Sequence, residues 1–83
     1  MSYTVYLLRT SSNTLYTGQT NNLDKRIKEH YAKTGKGAKY MKYFDSFELV
    51  YREEFLTLVE AMRREREIKS WQREKKEALI SRD

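Results

Sequence analysis

Two short runs of strand-forming residues begin the chain. Tyr3–Thr10 consists mostly of β-branched, aromatic and leucine side chains, and the Ser-Ser-Asn sequence at residues 11–13 follows it as a turn signal. A second strand is expected over residues 14–20. The pattern therefore predicts an antiparallel β-hairpin closed by a three-residue turn.

The spacing of this hairpin determines which side chains share a face. A three-residue turn pairs Leu8 with Tyr16 and Tyr6 with Gly18, so both tyrosines would lie on one side of the sheet. A shift of one residue would separate them. Gly18 would leave room opposite the large Tyr6 side chain, as strand glycines often do.

A helix is predicted directly after the hairpin. Asn21 and Asn22 supply capping side chains, and Leu23–Ala32 has apolar residues at helical spacing. Arg26 and His30 are four residues apart, so they lie side by side at the edge of the apolar stripe. Both side chains could reach the hairpin against which this helix packs.

The middle of the chain changes from a basic loop back to strand composition. Residues 33–42 contain two of the three glycines and four lysines, which indicates a loop with a short helical turn at 38–41. Lys36 and Lys39 are candidate phosphate contacts, although such lysines most often form an ordinary solvated surface. Phe47–Phe55 would join the hairpin as a third strand. We therefore predict an α+β fold, a three-stranded antiparallel sheet flanked by helices.

A second helix is predicted over residues 57–69. Thr57 and Glu60 match a capping box, in which the threonine bonds forward to the backbone and the glutamate reaches back. The end of this helix is open, because Ser70 could cap a separate last helix over 71–80 or one helix could continue through. In either case the apolar contacts of the last segment would come from Trp71, Ala78 and Leu79.

One carboxylate on the second helix stands among apolar positions. At about 100° per residue, Glu65 falls inside the apolar stripe, whereas the other acids of the helix and two of its arginines fall on the opposite, solvated side. The stripe is formed by Leu58, Ala61, Met62 and Ile68. The solvated side carries Glu60, Arg63, Arg64 and Glu67. Burial of an unpaired carboxylate is costly, so the pattern leaves an internal salt bridge and a metal or catalytic role about equally open.

The composition limits the class of protein and of partner. The 83 residues suffice for one domain, residues 1–83, and the lack of cysteine excludes disulfides and thiolate zinc sites. The N-terminus has no apolar run long enough for a signal sequence or a membrane span, so we expect a soluble, cytoplasmic protein. The net charge of +5 and the isoelectric point near 9.5 make a polyanion partner plausible.

Several of these segments, taken in order, resemble the GIY-YIG nuclease domain, and the resemblance covers nearly the whole chain. In size and composition the chain is most similar to the small single-domain bacterial, uncharacterised branch of that superfamily. Each name motif is degenerate here, but the combination with the later positions is specific. The matching segments are TVY at 4–6, YTG at 16–18, LDKRI at 23–27, His30, and AMRRE at 61–65.

The resemblance implies a role for each matched side chain. The positions that match catalytic residues of the family are Tyr6, Tyr16, Arg26 and His30. Glu65 matches the glutamate that holds a single divalent cation, usually Mg²⁺ and alternatively Mn²⁺, and Gly18 belongs to the second motif as a structural residue of the site. The implied activity is metal-dependent hydrolysis of DNA, including branched or damaged DNA, by a monomer that needs no organic cofactor.

These residue types suit phosphodiester hydrolysis, in which a site must neutralise developing charge and supply an activated water. One carboxylate can hold Mg²⁺, which keeps most of its waters. An arginine fork can clamp a phosphate in a geometry that lysine cannot copy. A phenol is a poor base at neutral pH unless its surroundings lower its pKa.

Two features keep other functions open. Arg26 could be a surface residue paired with Glu29, and the chain has no asparagine after Asn22, whereas many active relatives carry one well after the metal glutamate. The alternative is therefore a catalytically inactive nucleic-acid-binding module on the same scaffold. A third hypothesis, a protein-interaction adaptor, would depend on Trp71 and the terminal helix.

Overall fold

A computed structural model describes residues 2–32 and 46–82. In this part of the chain the elements are β1 Tyr3–Thr10, β2 Leu15–Thr20, α1 Leu23–Ala32, β3 Phe47–Phe55, α2 Leu58–Lys69 and α3 Arg73–Ser81. The predicted α+β class, with a three-stranded antiparallel sheet and flanking helices, is confirmed. The basic loop, with Lys36, Lys39 and the predicted turn at 38–41, lies outside the described residues. No described helix has the length and apolarity needed to cross a membrane.

Strand β1 lies in the middle of the sheet. The strand order is β2-β1-β3, and β1 pairs antiparallel with both neighbours. The predicted hairpin register is confirmed, with Tyr6 opposite Gly18 and Leu8 opposite Tyr16. The two tyrosines therefore share one face, and their ring centroids are 6.3 Å apart.

The turn between β1 and β2 explains why this register is selected. The backbone N–H of Thr10 donates to the carbonyl of Thr14 at 2.9 Å, which leaves three residues in the turn. Asn13 adopts a φ of 63°, a left-handed conformation that asparagine tolerates better than most residues. The turn residues thus determine which faces of β1 and β2 coincide.

Strand β3 contains one extra residue relative to β1. Leu7 pairs with Tyr51 and Leu8 pairs with Leu49, so Val50 is the bulged position. Because of the bulge, Val50 and Tyr51 both pack with the core beneath α2 and α3. Leu49 instead lines a groove against α1.

The two faces of the sheet carry different helical layers. The buried side chains between the sheet, α2 and α3 are Val5, Leu7, Ala61, Ile68 and Leu79. The cluster on the α1 face consists of buried Tyr6 and Leu8, packed against Tyr16, Leu23, Ile27 and Phe47. Since successive residues of β1 point to opposite faces, α1 and α2 lie on opposite sides of the sheet. Tyr6 and Glu65 therefore come from different layers.

Helix α2 begins as predicted and ends at Ser70. The backbone N–H of Glu60 donates to Oγ1 of Thr57 at 3.2 Å, and the Thr57 hydroxyl donates to the Glu60 carboxylate at 2.9 Å. Ser70 is the C-cap of α2, and Gln72 is the N-cap of α3. The last segment is therefore a separate helix, and Ser70 closes α2 instead of opening α3.

The face of α2 that meets the sheet differs from the predicted apolar stripe. Leu58 and Met62 are 42% and 46% exposed, so their predicted burial was wrong. Arg64, which was expected on the solvated side, is half-buried, and its Nε donates to Oε1 of Glu53 on β3 at 2.9 Å. Its guanidinium also lies 5.1 Å from the centroid of the Trp71 ring. A long arginine can bury its stem while its charge stays paired, which a helical wheel does not take into account.

A two-bond ion pair joins the end of β1 to α3. The Nη1 and Nη2 atoms of Arg9 donate to the Glu77 carboxylate at 2.9 and 2.6 Å, and Arg73 donates to the same group at 3.0 Å. These contacts, the Arg9 hydrogen bond first, lower the pKa of Glu77 to about 2. The pair does not follow from any local pattern, because 68 positions separate its members.

Candidate active site

The side chain of Tyr6 lies across Gly18 on the edge strand β2. A Cβ at position 18 would stand 2.6 Å from the Tyr6 Oη and 2.7 Å from its Cζ. Real Cβ atoms do not approach other atoms so closely, so only glycine accommodates the ring in this position. Gly18 thus determines where the phenol lies.

The Tyr6 hydroxyl shares a buried hydrogen bond with His30. Its Oη lies 3.0 Å from Nε2, and both side chains are fully buried. Burial and then the neighbouring Tyr16 raise the pKa of the Tyr6 phenol, while Arg26 acts to lower it. The phenol therefore stays protonated at neutral pH and can donate to Nε2.

Aromatic rings surround His30. The neighbouring centroids are 5.5 Å (Tyr16), 5.8 Å (Phe47) and 6.1 Å (Tyr6) from its own. Burial and then Arg26 lower the pKa of His30, with Glu29 opposing them. Its Nδ1 is buried without a hydrogen-bond partner among the described residues. A neutral imidazole whose Nε2 accepts from Tyr6 carries its proton on Nδ1.

Arg26 lies on α1, one turn before His30. Its Nε is 3.3 Å from Oε1 of Glu29, and its side chain is 18% exposed. The same guanidinium opposes the rise in the pKa of Tyr6 and adds to the fall in the pKa of His30. Arg26 therefore pairs with Glu29 and also lies next to the tyrosine cluster.

Glu65 belongs to the α2 layer, on the opposite side of the sheet from the Tyr6 cluster. Its side chain is 22% exposed, and its Oε2 lies 3.2 Å from Nζ of Lys69 on the next turn. The charge of Glu65 contributes the smallest of the effects on the pKa of Tyr6, which it raises. Helix α2 packs along β2, the edge strand that carries Gly18.

The structure thus groups most of the predicted site residues. Tyr6, Tyr16 and His30 are in ring contact, Arg26 is adjacent, and Glu65 interacts through its charge. Within residues 2–32 and 46–82, no three His, Asp or Glu side chains form a group that could hold a metal ion. A cation at Glu65 would therefore have fewer than three such protein ligands among these residues, which fits Mg²⁺ with its retained waters.

Phe47 is a neighbour of the site that the sequence analysis missed. Its ring contacts His30, and on the other side it stacks on Tyr31 at a centroid distance of 4.5 Å and an interplanar angle of 32°. The available signal was an aromatic residue at the start of β3. Its partners could not be deduced, because the register of β3 depends on the bulge at Val50.

Comparison with known proteins accounts for this arrangement. A family model described as the GIY-YIG catalytic domain matches residues 2–78. The chain belongs to the GIY-YIG family. The assignment made from the hairpin and helix motifs is therefore confirmed, and the family is one of nucleases.

This GIY-YIG chain is similar to UPF0213 proteins along most of its length. One from Natronomonas pharaonis is 48% identical over 77 residues, which cover 93% of this chain and 88% of that protein. Another, from Staphylococcus haemolyticus, is 49% identical over 76 residues, with coverages of 92% and 90%. The solution NMR structure of a UPF0213 protein from Bacillus halodurans is 44% identical, with a TM-score of 0.63 and coverages of 98% and 84%.

The two degenerate GIY-YIG motifs occupy neighbouring strands. The TVY sequence lies on the central strand β1 and the YTG sequence on the edge strand β2. The last residue of the first motif, Tyr6, stands opposite the last residue of the second, Gly18. The motif substitutions therefore leave the contact between tyrosine and glycine in place.

Proposed function

We propose that this protein is an endonuclease that hydrolyses phosphodiester bonds in DNA with the help of Mg²⁺ or Mn²⁺. The observation that supports the proposal is the buried hydrogen bond between Tyr6 and His30, with Arg26 beside it and Glu65 within electrostatic range. Nuclease membership of the family supports the reaction class. Branched or damaged DNA, as met in repair or recombination, is the substrate we propose.

Glu65 is the residue proposed to hold the cation. Its half-buried carboxylate is engaged by Lys69, an exposed and weakly bound partner that a divalent ion can displace. The bound ion would neutralise charge on the phosphate and lower the pKa of a coordinated water. Phosphate binding and proton transfer are assigned to side chains of the protein.

Arg26 is proposed to bind the scissile phosphate. Its planar guanidinium can donate two parallel hydrogen bonds to phosphate oxygens, and it lies adjacent to the phenol that would face the attacking water. The side chain is oriented by the contact of its Nε with Glu29, and a guanidinium carries four further N–H donors on its two terminal nitrogens.

Tyr6 and His30 are proposed to act as a proton relay. Because burial raises the pKa of the phenol, Tyr6 is a weak base by itself. His30 makes the phenol a more effective base. Its neutral Nε2 can take the proton of the Tyr6 hydroxyl while Oη accepts a proton from the attacking water. The low pKa of His30 keeps Nε2 free of a proton before the reaction.

A cleavage assay tests the proposal. Fluorescently labelled nicked, forked and single-stranded DNA would be incubated with wild-type protein and Mg²⁺ or Mn²⁺. The Glu65→Ala and Glu65→Gln variants should lose cleavage by at least about a hundredfold, the magnitude typical of a lost electrostatic contact to the transition state. Glu60→Ala, which alters an exposed acid of the same helix, is the matched control and should retain activity.

A second candidate is a nucleic-acid-binding module without turnover. It is favoured by the raised pKa of Tyr6 and by the ion pair that engages Glu65. In this case the protein would bind DNA with strong salt dependence and release it uncut at every metal concentration. Equal cleavage by wild type and Glu65→Ala would indicate a contaminating nuclease and would also favour this candidate.

A further inference from the structure

A groove runs between α1 and β3 on the same face of the sheet as the tyrosine cluster. It has a volume of 500 Å³, within the range of sites that bind small organic groups. Its apolar walls are formed by Leu23, Ile27, Tyr31, Phe47 and Leu49. The proposed hydrolytic mechanism makes no use of it.

The groove contains an exposed aromatic surface. Tyr31 is 65% exposed although it is a large aromatic residue, and its inner face already stacks on Phe47 at 4.5 Å. Leu49 beside it is 40% exposed. A fixed ring with one covered and one open face is the arrangement on which nucleobases stack in proteins that bind single strands.

Charges at the groove suit a polyanion. Its lining includes Lys28 and Arg52 with one acid, Asp24. Arg52 is more than half exposed, and its pair with Glu54 is loose, at 3.6 Å. Such cations can contact the phosphates on either side of a base that enters the groove.

The groove lies on the same face of the sheet as the proposed reaction centre, and the two share the packing of Leu23, Ile27 and Phe47. His30 bonds to Tyr6 and packs edge-on against Phe47, which in turn stacks on Tyr31. Because Arg26 and Tyr31 lie on the same helix, about 7.5 Å apart along its axis, a base against Tyr31 would belong to a nucleotide near the phosphate that Arg26 is proposed to bind. The occupant must be unstacked from its neighbours, since a base inside a duplex exposes no ring face.

We infer that the groove between α1 and β3 binds one unpaired nucleobase, stacked on Tyr31, so that substrates with an unpaired nucleotide near the cleaved bond are preferred. This inference rests on the proposed nuclease function and specifies its substrate class. It also explains how a small domain can distinguish distorted DNA from an intact duplex, because phosphate contacts alone do not make that distinction.

The test measures binding and cleavage separately. Fluorescence anisotropy with the Glu65→Gln protein and Mg²⁺ would compare a single-stranded oligonucleotide, the same strand with one abasic nucleotide scanned along it, and a blunt duplex. We expect single-strand affinity to fall about tenfold when the abasic position occupies the groove, which is the loss typical of one base–aromatic contact. Every substrate is compared on the same Glu65→Gln protein and the groove is unchanged, so the comparison does not depend on the folding of a groove variant.

Variants of Tyr31 locate the effect. Tyr31→Leu should also lose about tenfold in single-strand affinity and leave duplex affinity unchanged, whereas Tyr31→Phe should behave as wild type. The inference is overturned if the position of the abasic nucleotide has no influence on affinity, or if Tyr31→Leu weakens binding of duplex and single strand equally. It is also overturned if Leu49→Arg changes the oligomeric state of the protein in solution, because the groove would then be a protein interface. Tyr31-dependent single-strand binding without cleavage of any DNA would refute the nuclease and retain the base site.

Discussion

Gly18 and Tyr6 face each other across the β1–β2 pair so closely that no Cβ fits between them. The space that glycine leaves is filled by the ring whose hydroxyl bonds to His30. The position of the Tyr6 phenol therefore depends on the lack of a Cβ at Gly18 on the neighbouring strand. A substitution at Gly18 can measure this dependence.

Gly18→Ala should displace the Tyr6 ring. The new methyl would stand 2.6 Å from Oη, so either the ring or strand β2 must shift. We expect the free energy of unfolding to fall by about 1–3 kcal/mol, as for other overpacked cores. DNA cleavage should fall by at least about tenfold, since misplacement of a catalytic group is costly. Chemical denaturation and the cleavage assay measure the two effects.

The control for this variant is Gln19→Ala, which changes the next residue of the same strand. It tests whether alanine in β2 is harmful by itself. Unchanged stability and activity in Gly18→Ala would mean that the ring has room to move, and the proposed role of Gly18 would be lost.

Protonation of His30 should destabilise the fold in mild acid. The pKa of His30 is lowered in the folded state, so the unfolded chain takes up its proton first as the pH falls. The stability that His30 contributes is therefore complete above its unfolded pKa of about 6.5 and is lost as the pH falls toward its folded pKa. Urea denaturation at pH 8, 7, 6 and 5 would record this loss.

His30→Gln removes the titrating group and keeps a hydrogen-bonding side chain. The difference in unfolding free energy between wild type and this variant should shrink from pH 7 to pH 5, because only the wild type loses stability through His30. A constant difference would show that the imidazole does not titrate differently in the two states.

Arg26→Lys should separate charge from geometry. Lysine keeps the positive charge beside Tyr6 but cannot donate two parallel hydrogen bonds to a phosphate. We expect cleavage to fall by at least about tenfold with a loss of stability below about 1 kcal/mol, since the contact with Glu29 is a partly exposed ion pair. Arg63→Lys, on the exposed side of α2, is the matched control. Full activity in Arg26→Lys would assign Arg26 a purely electrostatic role.

Removal of the Lys69 charge should strengthen metal binding. Nζ of Lys69 lies 3.2 Å from Oε2 of Glu65 and competes with a cation for it. Because such helix pairs are worth about 0.3–0.5 kcal/mol, Lys69→Met should increase Mn²⁺ affinity about twofold. Paramagnetic broadening of NMR signals near Glu65 would measure this. Lys76→Met removes the same charge from α3 and should have a smaller effect; weaker Mn²⁺ binding by Lys69→Met would argue against Glu65 as the ligand.

Glu77→Gln should weaken the attachment of α3 to the sheet. The lowered pKa of Glu77, about 2, means that its contribution to stability is complete above its unfolded pKa and is lost as the pH falls toward 2. Both partners are partly exposed to water, so we expect a loss of about 1 kcal/mol or less at pH 7. Glu74→Gln on the same helix is the control. A wild-type and a Glu77→Gln protein with the same acid unfolding curve would contradict the role of this pair.

Much of this architecture could be predicted because its determinants are local. The register that brings Tyr6 and Tyr16 together follows from a three-residue turn, and the start of α2 follows from the cap formed by Thr57 and Glu60. The residues of the candidate site on β1, β2 and α1 lie within one contiguous stretch of chain. Short-range rules were therefore sufficient to group them.

The parts that could not be predicted depend on contacts between distant elements. The predicted orientation of α2 was wrong by part of a turn. The reason is that Arg64 contacts Glu53 of β3 and the Trp71 ring, so it lies on the side of α2 that faces the sheet. No property of α2 alone reveals that partner. The contact of Phe47 with His30 similarly depends on a bulge that no sequence pattern indicates.

The central position of β1 has a consequence for turnover. The strand that carries Tyr6 is bonded along both edges, and its amides should exchange with solvent only when the whole protein unfolds. Glu65, in contrast, is restrained by one exposed lysine that can swing away within nanoseconds. We therefore expect the Tyr6 phenol to stay in place during turnover. The movements that align the reactants should come from the Glu65 side chain and the bound DNA strand.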